Sequence, residues 1–73
     1  MPKRYSARQI LKALLGLGFS EISQKGSHIK LRGIISGKLQ TVIVPNHKAI
    51  ATGTFSSILR QANVSKQDIE DNL

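Results

Sequence analysis

The 73-residue chain has no cysteine and no tryptophan, and its aromatic content, one tyrosine and two phenylalanines, is 4%. Without cysteine there is neither a disulfide framework nor a thiolate metal site, so stapled secreted scaffolds and zinc ribbons are excluded. So few aromatic rings leave little with which to stack single-stranded bases. Acids are as scarce: Glu21, Asp68, Glu70 and Asp71 are the only four, and three of them crowd the C-terminus. Mg2+-dependent nucleases hold their metals with clustered carboxylates, and ahead of residue 68 the chain offers only Glu21, which excludes a two-metal site. Paired-carboxylate hydrolysis and a Ser-His-Asp triad fail for the same reason. The two histidines, His28 and His47, stand 19 residues apart without a third ligand, which argues against a structural zinc site. There is no glycine-rich nucleotide loop. No cofactor, metal or small molecule is therefore expected. Apolar runs fall far short of the ~20 residues that cross a bilayer, and the charged stretch Met1 to Ser6 does not read as a signal peptide. The expected location is the cytoplasm, without membrane contact.

What the chain does have is positive charge. Eleven Lys and Arg against four acids give a formal +7, and because the acids lie late, residues 1–67 carry +10. A phosphate backbone is the natural partner for such a field; docking of an acidic protein is the other reading of the same charge. At 40% apolar the chain can fold, and its length allows one modest core, so residues 1–73 are read as one domain.

Ser6 followed by Gln9 forms a capping box, and Ala7, Ile10, Leu11, Leu14 and Leu17 recur at helical spacing until Gly18. Beyond Gly18 the period becomes alternating. Phe19 to Gln24 reads as a strand, Lys25-Gly26 as a turn, and Ser27 to Arg32 as a second strand with Ile29 and Leu31 on one face. Gly33 to Lys38 carries a loop signal, and Leu39 to Val44 reads as a third strand closed by Pro45. Asn46 to Thr52 reads as a loop. Thr54 is a candidate cap for a helix whose Phe55, Ile58, Leu59 and Ala62 share a face. Ser65 and Asp68 suggest another cap, for a short helix over residues 66–72. The expected class is α+β: helix, three-stranded antiparallel meander, helix, with a possible short terminal helix and one sheet face left to solvent.

On that open face strand alternation sets His28, Lys30 and Arg32 side by side. RNA supplies its own nucleophile in the ribose 2′-hydroxyl, so its cleavage needs only proton movement and stabilisation of charge at phosphorus. Histidine, titrating near ~6.5, moves protons at cellular pH, while Lys and Arg bind phosphoryl oxygens. The same face on an RNA-binding module without catalysis, or on a basic adaptor that meets only protein, would read alike.

The first helix ends Leu17-Gly18-Phe19, Lys25-Gly26-Ser27-His28 leads into the second strand, and Val44-Pro45-Asn46-His47 follows the third. Gly53-Thr54-Phe55 then opens a helix reading Ile58-Leu59-Arg60-Gln61-Ala62. In this order of signals, over most of its length, the chain resembles HicA toxins. The resemblance implies a fold similar to double-stranded RNA-binding domains, cleavage of mRNA, and neutralisation by a HicB-like antitoxin. It also implies that His28, the histidine of the Gly-Ser-His motif, is catalytic. Lys25, Gly26, Ser27, Lys30, Arg32 and Lys48 are the expected RNA contacts. His47, where a histidine also recurs in the family, is an auxiliary proton donor, an RNA contact, or a loop residue bonding nearby backbone. Asn63 departs from the family, many of whose members carry glycine there.

Overall fold

The computed structural model describes residues 4–73; the charged stretch noted above therefore lies partly outside the described residues, in residues 1–3. The elements run α1 (Ala7–Gly16), β1 (Ser20–Lys25), β2 (His28–Ile35), β3 (Lys38–Pro45), α2 (Thr52–Ala62) and α3 (Lys66–Asp71). The three strands form an antiparallel sheet in sequence order.

Helix α1 starts where its capping box places it. The Gln9 N–H donates to Ser6 Oγ at 3.2 Å, and the Ser6 N–H donates to Gln9 Oε1 at 2.9 Å, so two donors without helical partners are satisfied reciprocally. Its buried face is Ala7, Ile10, Ala13 and Leu14, with Leu11 and Leu17 partly covered. These side chains meet Ile29, Leu31, Val42 and Val44 from one face of the sheet, together with Ile58 and Ala62 of α2, in one apolar cluster. Such burial, at roughly 25 cal/mol per Å² of apolar surface, is the main favourable term available to a chain of this size.

Most element ends differ from the sequence reading by a residue or two, and two differences have a tertiary cause. Gly33 does not begin a loop; β2 continues through it to Ile35, and the connection shrinks to Ser36-Gly37, both at positive φ, 52° and 78°. Paired positive φ values suit the twist of a two-residue hairpin. Gly33 is glycine because Phe19 crosses it: a Cβ there would stand 2.8 Å from Phe19 Cγ and 2.9 Å from Phe19 Cα. The second difference is at α2. Thr54 lies inside the helix, not at its start, and the capping position falls to Ala51, whose side chain makes no capping bond. Tertiary contacts fix this start instead. Ile50 is buried, and its N–H donates to the Tyr5 carbonyl at 2.8 Å.

Helix α2 also guards an edge. The Ile43 N–H, on the outer side of β3, donates to Gln61 Oε1 at 2.9 Å, and Gln61 Nε2 donates to Ser57 Oγ at 3.1 Å. Asn63 ends the helix in the left-handed region, φ 57° and ψ 43°, the conformation for which glycine is the usual residue. Helix α3 has the expected second capping box, Ser65 with Asp68, and buries Ile69 against the cluster. Tyr5 is buried, tilts against Phe55 with centroids 5.3 Å apart, and donates its hydroxyl to Glu70 Oε2 at 2.8 Å. That bond, with desolvation and the nearby carboxylate charge adding to it, raises the phenol above its ordinary value.

Candidate active site

The sheet face away from the helices carries the residues singled out by alternation. His28 is the first residue of β2, paired across with Lys25 on β1 and Pro45 on β3. Lys30 pairs with Ser23 and Ile43, and Arg32 with Ser20 and Thr41. Successive residues on one face of a strand stand about 7 Å apart, so imidazole, ammonium and guanidinium form a row of about 13 Å. His28 and Arg32 are exposed and Lys30 is half-buried between its neighbours. Arg32 Nε donates to Thr41 Oγ1 at 3.4 Å, which steers the guanidinium along the face. Lys25 is exposed beside His28, bringing a second ammonium to this end of the row.

The turn that presents His28 is Gly26-Ser27, one residue later than the Lys25-Gly26 expected, and β1 accordingly runs to Lys25. Gly26 takes φ 59°, and its carbonyl accepts a long bond of 3.5 Å from Gln24 Nε2. The Ser27 carbonyl accepts from the Asn46 N–H at 2.6 Å, so the segment after β3 is pinned against the start of β2. This turn is therefore held from both sides, which fixes where the imidazole begins.

His47 and Lys48 lie at the same end of the sheet but line a different concavity. An open cleft is bounded by Ser6, Arg8, Asn46, His47 and Lys48. Its walls are joined through backbone: the Ala7 N–H donates to the His47 carbonyl at 2.9 Å, and the His47 N–H to the Pro45 carbonyl at 2.9 Å. His47 and Lys48 are both exposed. The fold thus groups Lys25, His28, Lys30 and Arg32 on one face, and groups His47 and Lys48 with Arg8 around the neighbouring cleft. Arg8 reads in sequence as one more charge on a solvated helix face. Only the bond between α1 and the segment after β3 brings it to the site, and no local pattern announces that contact.

Among the described residues no three His, Cys, Asp or Glu side chains gather as a metal site, and no helix is long and apolar enough to cross a membrane. A three-stranded sheet with helices on one face and a row of cations led by a histidine on the other defines a small basic α+β protein whose positive charge is gathered on one open surface. The family model for the HicA toxin of bacterial toxin-antitoxin systems matches residues 7–64, from the start of α1 to just past α2, and the chain belongs to that family. It is the toxin half of such a pair, and an antitoxin is its partner. A search of curated proteins found no match.

Proposed function

We propose that the chain is a metal-independent endoribonuclease that cleaves mRNA, with His28 as its catalytic side chain. The observation that carries this reading is the exposed imidazole of His28 at the head of a row of cations, in a chain of the HicA toxin family. In this reaction the ribose 2′-oxygen forms a bond to the adjacent phosphorus and the bond from phosphorus to the 5′-oxygen breaks. His28 accepts the proton leaving the 2′-hydroxyl, and the departing 5′-oxygen takes a proton from solvent. Lys30 and Arg32 neutralise the charge that builds on the phosphoryl oxygens. Lys25, Gly26 and Ser27 shape the approach to the imidazole, and Lys48, with His47 nearby as an auxiliary group, holds flanking phosphate. Residues 1–73 act as one toxin domain in the cytoplasm, and the antitoxin is HicB-like.

The test is cleavage of a purified mRNA in EDTA by the chain and by His28→Ala. The unsubstituted chain should cut in chelator, and His28→Ala should cut on the order of 10² to 10⁴ times more slowly, the usual worth of general acid–base catalysis. RNA affinity should fall only slightly, because the cations remain. A folded His28→Ala that cuts at the original rate ends the assignment. Binding without cleavage by the unsubstituted chain points instead to a non-catalytic RNA module of the same shape.

A further inference from the structure

The open face is basic along only part of its length. Ile34 and Leu39 stand opposite each other as register partners of β2 and β3. They are 65% and 63% exposed, more than any other large apolar side chain among the described residues. By strand rise the pair lies roughly 20 Å from His28, past the far end of the cationic row.

The strand layout leaves the pair uncovered. β1 begins at Ser20, opposite Arg32, so the register carried two residues further sets Gly18, which has no side chain, beside Ile34. On the other side the chain turns at Ser36-Gly37. Arg32, exposed on the same face two residues before Ile34, borders the pair, whereas Lys38, the first residue of β3, alternates to the other face.

Scattered exposed aliphatics carry no meaning, but here two adjoin directly across the β2–β3 pairing; Ile22, the other exposed aliphatic described in the sheet, stands apart at the bulge of β1, and the remaining exposed members of the face are Ser20, Ser23, Lys25, His28, Arg32 and Thr41. RNA gains little from them, since its affinity comes from phosphate neutralisation, stacking and polar base edges. A protein gains much, because desolvated anchors inside a polar rim dominate interface energetics. The +10 carried by residues 1–67 selects among proteins for an acidic one.

We propose that Ile34 and Leu39 anchor the antitoxin, receiving an apolar side chain beside a carboxylate that pairs with Arg32. This rests on the antitoxin partner that family membership brings, and adds where that partner grips: the apolar pair just past Arg32, the last cation of the RNA row, which the partner then shares. Recognition of antitoxin and of RNA is then separable by substitution.

The test pairs Ile34→Thr with Leu39→Thr, since threonine keeps strand propensity and both positions face solvent. Leu39→Gln alone is the second variant should the pair fail to fold. The probe is the product of the reading frame adjoining this chain's gene, titrated calorimetrically, alongside RNA binding and cleavage. Its affinity should fall at least about 10-fold, as expected for losing a central anchor, while RNA affinity and cleavage stay within about twofold. Unchanged binding of that product overturns the proposal, as does a variant that loses RNA while keeping the partner. Sedimentation showing a dimer of the unsubstituted chain that the substitutions dissolve also overturns it, because the pair then serves a second copy. If the unsubstituted chain does not bind the product at all, the partner reading itself fails, a result distinct from equal binding by chain and variant.

Discussion

Strand β2 serves two faces of one sheet, and the two are made of opposite materials. Ile29 and Leu31 point into the helices and are at most 4% exposed, while His28 and Arg32, interleaved with them along the same five residues, face water. On the covered face, identity is dictated by neighbours already in contact. On the open face almost nothing inside the molecule dictates identity: Arg32 touches Thr41, and no hydrogen bond from the His28 side chain is seen among the described residues. Residues with few internal obligations and a concentrated charge are free to be chosen for an external ligand. Strand parity thus separates what holds the protein together from what it does.

That separation can be broken at graded cost. The largest effect is expected from Leu31→Ala, which empties a fully buried position and should cost about 2–5 kcal/mol of unfolding free energy in urea titration. A 73-residue domain has about 4–11 kcal/mol in total, so this variant should stand near the edge of folding. A loss under 1 kcal/mol would mean that the covered face is far looser than its burial implies. Next comes Gly33→Ala. The added methyl meets the backbone and ring of Phe19 within 3 Å, so overpacking of about 1–3 kcal/mol should appear as a lowered melting temperature. A neutral result would show that Phe19 yields freely.

Smaller again is Ser6→Ala, which removes the hydroxyl accepting the Gln9 N–H and should cost about 1 kcal/mol in the same titration, with spectra otherwise unchanged. The smallest change should be in the stability of His28→Ala, within about 0.5 kcal/mol despite its large effect on cleavage. A marked loss of stability there would mean that the open face also supports the fold, and the contrast between faces would collapse.

Strand parity and the two capping boxes follow local rules and are readable without coordinates. Ser6 with Gln9 and Ser65 with Asp68 announced two helix starts, and alternation set His28, Lys30 and Arg32 on one face. Features dictated by distant residues were not readable. Gly33 carries the signature of a loop because glycine usually does, but its cause is Phe19, fourteen residues earlier. The start of α2 is set by Ile50 and Tyr5 instead of by a capping side chain, so Thr54 drew the boundary too late. The grouping of Arg8 with His47 and Lys48 needs the bond from Ala7 to His47, a pairing of segments forty residues apart. Asn63 is the converse case: its departure from glycine was visible in sequence, and its left-handed backbone supplies the reason.

The hydroxyl of Tyr5 on Glu70 has a practical side. It makes Tyr5, just ahead of α1, and Glu70, in α3, neighbours within the helical layer, so early and late parts of the polypeptide meet on the side away from the open sheet face. It also makes the order of elements negotiable. A short linker joining the ends, with new termini cut at the exposed Ser36-Gly37 turn, yields a circular permutant that retains the apolar cluster, because none of its members lies at the cut.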